Sequence, residues 1–174
     1  MNIRALAKAD VAHIAEYLSH PLLAGLTGLP RDLMLPLSID EIAEGVEKWR
    51  TGEHELIRVV EADGQVVGHV RSGWWWDVLT PWVEVVVRPE HRNRGHGTAA
   101  CRWVLTHLFT NTPAHVVHAS TPDWNDVGAG FAARLGFERA GALRRTGIRA
   151  GRYVDSIEFE LLRTRWEGLD AADR

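Results

Sequence analysis

Arg92, Arg94, Gly95 and Gly97 stand at a spacing that could hold a phosphate. Residues 83–98 read Val-Glu-Val-Val-Val-Arg-Pro-Glu-His-Arg-Asn-Arg-Gly-His-Gly-Thr. That is a valine-rich strand, a turn fixed by Pro89, a loop with two glycines and the start of a helix. Main-chain amides at a helix N-terminus are unpaired and together carry about half a positive charge. Glycine lets a phosphate approach such a backbone closely. Arg92 and Arg94 add permanent charge and bidentate donors, a combination that suits a pyrophosphate. The alternative is a surface turn with solvated arginines. The loop departs from a dinucleotide-binding fingerprint, whose third glycine would have to stand at Ala100, and no Gly-Lys-Ser/Thr follows to make a P-loop.

Glu84 is the second chemical candidate. It interrupts a run of valines in a strand expected to be covered on both faces, where an unpaired carboxylate is expensive. Something must pair with it or use it. A buried ion pair and a solvent-facing strand edge are the other readings. Asp77, Asp123 and Asp155 are weaker candidates for acid–base work. Nine histidines show no Cys/His spacing of a closed zinc site, so no metal is expected. Cys101 falls one turn into a helix on its apolar face and reads as a buried structural thiol. The arginines at 144, 145, 149 and 152 form a late basic patch, open to an anion but readable as a solvated turn. Eight tryptophans include Trp74, Trp75, Trp76 and Trp82, which could wall a pocket for an apolar or cationic ligand or simply fill a core.

The elements that must position these residues follow from periodicity and turn chemistry. A short strand over 3–6 precedes an amphipathic helix over 10–18, capped by Asp10. Residues 20–36, with three prolines, read as a loop. Ser38 with Glu41 makes a capping box for a second helix ending near Arg50. Strands over 55–62 and 65–76 flank Asp63-Gly64, a hairpin signal because both residues tolerate positive φ. A strand over 82–87, a helix over 97–109, a strand over 115–119 and a helix over 125–135 come next. Gly136 should close that last helix in the left-handed conformation. A closing antiparallel pair spans 137–145 and 154–162, and 166–174 reads as a polar tail. The class is α+β, or mixed α/β, in three layers: a mostly antiparallel sheet of six to seven strands with helices on both faces. One domain over 1–165 accounts for the length.

Composition removes several classes of function. A formal net charge of −3 gives no general field for nucleic acid or anionic membrane. No apolar run approaches the roughly 20 residues of a membrane span. The opening MNIRALAKAD lacks the apolar core of a signal peptide, and a single cysteine fits a reducing compartment, so the expected location is cytoplasmic.

The pattern Arg92-x-x-Gly95-x-Gly97 resembles the signature of the GNAT superfamily of acetyl-CoA-dependent N-acetyltransferases. Asn125, eleven residues ahead of Gly136-Phe137, resembles the family's second motif, and the opening strand with its Asp-led helix resembles its N-terminus. The ending Gly-Arg-Tyr-Val-Asp at 151–155 is similar to the RimJ/RimL-like branch, which acetylates protein N-termini and small amines. The resemblance implies a wedge beside the fourth strand, with the cofactor's pantetheine arm pairing with the backbone of Val85, Val86 and Val87. The pyrophosphate would then rest on the amides of Asn93, Arg94, Gly95, His96, Gly97 and Thr98, beside Arg92. Asn125 would hydrogen-bond the arm, and its plain alternative is a helix N-cap. The implied reaction is direct attack of a primary amine, on a small molecule or a protein N-terminus, with Glu84 as general base. Relatives often carry a tyrosine as general acid where this chain has Ala132, which leaves water or a hydroxyl such as Ser120 as donor. A CoA-binding sensor without turnover, or a dinucleotide binder, are the competing classes. Many such domains pair as homodimers, which the alternating strand residues 157–161 would permit.

Overall fold

Turn and cap chemistry sets most element boundaries in the computed structural model, which describes residues 1–23, 38–52, 55–74 and 77–169. In chain order the elements are β1 (Asn2–Ala5), α1 (Asp10–Leu18), α2 (Ile39–Thr51), β2 (Glu55–Ala62), β3 (Gln65–Gly73), β4 (Trp82–Val87), α3 (His96–Asn111), β5 (Val116–Pro122), α4 (Asp126–Arg134), β6 (Glu138–Arg149), β7 (Arg152–Leu162) and α5 (Arg163–Gly168). Seven strands hydrogen-bond in the order β1-β2-β3-β4-β5-β7-β6. Pairing is antiparallel at β1/β2, β5/β7 and β6/β7 and parallel at β4/β5. The class is mixed α/β around a mostly antiparallel sheet, as expected from the sequence. No helix among the described residues is long and apolar enough to cross a membrane.

The chain forms two compact units. The first comprises Met1–Ser72 with Glu84–Ala100. Its core joins Ile14 and Leu18 of α1 and Ile42, Val46 and Trp49 of α2 to Ile57 and Val59 of β2 and Val86 of β4. Burying each such side chain stabilises by about 1.5–3 kcal/mol relative to leaving it in water. Ser38 caps α2 by accepting from the Glu41 N–H, and the Glu41 carboxylate returns to the Ser38 N–H at 2.7 Å, completing the expected box. Asp63 and Gly64 take φ of 51° and 73°, the turn that reverses β2 into β3. Strand β3 ends at Gly73, short of the expected 76; Trp75 and Trp76 lie outside the described residues, as do residues 24–36 of the expected 20–36 loop, whose described start forms a 3-10 turn over Pro21–Leu23.

Asp10 departs from its expected role. The N-cap of α1 is Ala9, without a side-chain cap, and Asp10 is the first helical residue. Its carboxylate accepts from the Ala7 N–H at 2.8 Å and from both terminal nitrogens of Arg4 at 2.7 and 3.0 Å. The Arg4 guanidinium holds the Asp10 carboxyl below the usual carboxylate range, against the opposing effect of burial. A carboxyl with a depressed folded pKa stabilises at pH above its unfolded value near 4 and loses that contribution as pH falls through the lower folded value. Asp10→Asn should therefore lower stability by about 1–3 kcal/mol at pH 7. Urea unfolding at pH 7 and pH 3 checks this: the gap between variant and wild type should narrow in acid.

The second unit comprises Gly73–Val83 with Cys101–Arg174. Its buried residues include Cys101, Val104, Leu105, Leu108 and Phe109 of α3, Val117 of β5, and Phe159 and Leu161 of β7. Gly136 adopts φ of 89° just after α4, as the sequence requires. Strand β6 runs to Arg149 rather than 145, and Ala150 and Gly151 make a turn with φ of 47° and 74°. The expected gap between the strands thus shrinks to two residues. The expected polar tail is also corrected: α5 continues the fold from Arg163, and Trp166 is buried against Phe109, ring centroids 5.7 Å apart. Residues 170–174 lie outside the described part. Arg163 reaches back to the end of α3, where its guanidinium donates to the carbonyls of Phe109, Thr112 (2.9 Å) and Ala114 (2.9 Å). Strand β7, which includes the expected dimer residues 157–161, is paired on both sides, and β6 is the edge.

Candidate active site

The phosphate-binding candidate sits where β4 turns into α3. Pro89–His91 form one 3-10 turn after the strand. Arg92 then folds back, its Nε donating to the Val87 carbonyl at 3.2 Å, which ties the loop to the end of β4. Asn93 (φ 59°) and Gly95 (φ 82°) both take the left-handed conformation. For Asn93 this is a tolerated exception and for Gly95 an ordinary state. The bond from the Ala99 N–H to the Gly95 carbonyl, 3.0 Å, closes the first turn of α3. The amides of His96, Gly97 and Thr98 precede it and are the orphan donors of the helix start. A Cβ at Gly95 would meet nothing within 4 Å, so the surface there is open. Asn93, Arg94 and Gly95 are exposed, with Arg92, His96, Gly97 and Thr98 half-buried. Donors, exposure and charge converge here as an anion site needs.

Strand β4 carries the other half of the site. The backbone of β3 and β4 approaches closely near Val86: a Cβ on Gly68 would lie 2.3 Å from the Val86 carbonyl oxygen. The Arg88 N–H bonds the Val67 carbonyl at 2.9 Å. Val85 and Val87 are half-buried, and Val86 is buried. Glu84 is 17% exposed at its side chain. Its Oε1 accepts from Arg71 Nη1 at 3.2 Å and lies 3.6 Å from His69 Nε2. Arg71 also donates to Glu55 at 3.0 Å and stacks its guanidinium 3.6 Å above the Trp49 ring. Glu84 is therefore a nearly buried, ion-paired carboxylate, which answers the question posed by the valine run: it has partners.

Those partners escaped the sequence reading. His69 and Arg71 are two residues apart on β3 and so share a face. The signal was present as a charged or titratable pair, two residues apart, inside a strand that is largely buried. Tyr17 and Trp49 flank His69, with ring centroids 5.8 and 5.7 Å away. Burial lowers the His69 imidazole below the usual histidine range, and burial lifts the Tyr17 phenol well above its own. Both are uncharged at neutral pH.

In the second unit, Asn125 is the N-cap of α4, accepting from the Gly128 N–H at 3.2 Å. Its amide donates to Thr121 Oγ1 at 2.7 Å. A Cβ on Gly128 would come within 2.3 Å of the Asn125 amide nitrogen, so glycine is needed beside this seat. Ala132, where relatives often carry tyrosine, is buried. Arg149, exposed at the end of β6, lies 3.5 Å over the Trp124 ring. Trp74 is 38% exposed and lies outside any strand. Among the described residues no cluster of His, Cys, Asp or Glu could hold a metal ion.

Residues 29–137 match the Acetyltransferase (GNAT) family. The chain is 33% identical over 143 residues to mycothiol acetyltransferase from Parafrankia sp., covering 79% of this chain and 38% of that protein's length. It is 28% identical to L-amino acid N-acyltransferase MnaT from Escherichia coli, over 92% of this chain and 93% of the relative. The fold matches yncA from Salmonella typhimurium, solved with its cofactor acetyl-CoA, at a TM-score of 0.74 and 24% identity over 93% of each chain. With a family match over more than half its length, the chain belongs to the acetyltransferase (GNAT) family.

Proposed function

We propose that this protein transfers the acetyl group of acetyl-CoA to the primary amine of a small acceptor by direct attack, with Glu84 as the base that takes the amine's proton. The observation that carries this reading is a single strand, β4, with a carboxylate held by Arg71 at one end and an open, donor-rich loop at the other. In this reading the pyrophosphate rests on the amides of residues 93–98, and Val85, Val86 and Val87 supply backbone groups to the pantetheine arm. In the second unit Asn125 serves as the N-cap of α4. Acetyl transfer needs a neutral nucleophile. A lysine-like amine is less than ~0.1% neutral at pH 7, a handicap of about 4–5 kcal/mol, whereas an α-amine near pKa 8 loses only about 1–2. The relative named as an L-amino acid N-acyltransferase supports an α-amine, and the RimJ/RimL-like ending extends the class to protein N-termini. Cys101, a buried thiol pushed up to about 12 by desolvation, takes no part and fits a reducing, cytoplasmic setting.

Calorimetric titration with acetyl-CoA, followed by thiol release against a panel of L-amino acids, polyamines and short peptides, tests the proposal. Binding and turnover on an α-amine are expected. Binding with no turnover on any amine would mark a CoA sensor instead.

A further inference from the structure

His69 is fully buried on β3 between Tyr17 of α1 and Trp49 of α2. The Tyr17 hydroxyl lies 2.5 Å from Nδ1, and Glu84 Oε1 lies 3.6 Å from Nε2. A neutral imidazole carries one N–H, and the group hydrogen-bonded to one nitrogen decides which. With the hydrogen on Nδ1, the Nε2 lone pair would face the carboxylate oxygen, two acceptors opposed in a buried site. With the hydrogen on Nε2, the Tyr17 hydroxyl donates to Nδ1 and the Nε2–H points at Oε1. A shift of about half an ångström then closes a full hydrogen bond.

We propose that Tyr17 fixes His69 as the Nε2–H tautomer, and that His69 is the positioning residue that, with Arg71, holds Oε1 of Glu84. This rests on Glu84 being the base. The charged groups near the His69 imidazole are Arg71 on β3 and Glu84 on β4, with Glu55 on β2 behind Arg71. Arg88, just past β4, lies 5.9 Å from the Tyr17 ring, and Asp10 of α1 also acts on that phenol. A donor to a carboxylate stabilises its ionised form, so losing one raises the carboxyl's proton affinity. The base would then be protonated at a higher pH.

The test compares wild type, Glu84→Gln and the double variant Tyr17→Phe/His69→Phe, using the L-amino acid with the highest turnover as acceptor. Phenylalanine at both places keeps the ring stack and removes both polar partners together, which spares the fold. The double variant should move the acid limb of kcat/KM upward by about half to one pH unit, the shift expected for one lost donor. Its KM for acetyl-CoA and its rate at high pH should hold. Long-range ¹⁵N–¹H spectra of the full chain, with His69 assigned by difference, should show Nε2–H in the wild type and a tautomer mixture in Tyr17→Phe. An Nδ1–H tautomer in the wild type overturns the proposal. So does a wild-type acid limb in the double variant when Glu84→Gln is slow, and that outcome leaves the base in place. A fully active Glu84→Gln removes the base and, with it, this role for His69.

Discussion

Glu84→Gln is expected to lower kcat/KM for an amine acceptor by about 10²–10⁴-fold at pH 7, the usual contribution of a positioned base. The amide can still accept from Arg71 Nη1, and Arg71 keeps Glu55 as counterion at 3.0 Å, so the variant should fold. What it loses is the ability to take a proton. The base works only when ionised, so wild-type activity falls as pH drops and the carboxylate is protonated. In the variant that limb should vanish. The deficit should also shrink as pH rises, because the acceptor sheds its own proton to solvent as pH nears its pKa. Acetyl-CoA affinity should not move, since the loop proposed to hold its phosphates lies beyond the other end of β4. Stopped-time assays of thiol release from pH 6 to 10, with calorimetry at pH 7, decide the matter. An unchanged rate across that range would take Glu84 out of the reaction.

Arg92→Glu should weaken acetyl-CoA binding by about 10²-fold, whereas Arg94→Glu should cost about tenfold and only at low salt. The difference lies in their surroundings. Arg92 is half-buried and tied to the Val87 carbonyl, so its replacement removes a charge, releases the loop from β4 and places a carboxylate beside the phosphates. Arg94 is exposed, and its attraction to an anion is screened beyond about 8 Å at physiological ionic strength. Calorimetric titrations at 50 and 500 mM salt separate the two, since the Arg92 effect should persist and the Arg94 effect decay. Unaltered affinity in Arg92→Glu would remove the loop from cofactor binding.

Local rules carried the sequence reading a long way. Strand β4 ends where its valines do, the Ser38 box and the Asp63-Gly64 turn form as their side chains demand, and Asn125 caps its helix. Each depends on residues within four positions of one another. The surroundings of Glu84 do not. Tyr17 and His69 are 52 residues apart and Arg71 and Glu84 are 13 apart, and only the packing of α1 on the sheet and the pairing of its strands bring them together. The valine run announced that Glu84 needed a partner without saying which. The Ala150-Gly151 turn was missed because alanine at φ of 47° is a rare tenant of that conformation, held there by the pairing of β6 with β7. Asp10 misled for the opposite reason: it looks like a cap by type, but a guanidinium six positions back competes for it and holds it in a stronger bond.

Arg163 imposes an order on how the second unit can mature. Phe109 in the last turn of α3 and Thr112 and Ala114 in the segment after it all turn their carbonyls to one guanidinium, which is encoded about fifty residues later. During synthesis the end of that helix therefore lacks this partner until the segment after the final strand has left the ribosome. Translation and docking of the last segment thus act as the latch on an early helix, and a prematurely stopped chain would present that loosened end to proteases.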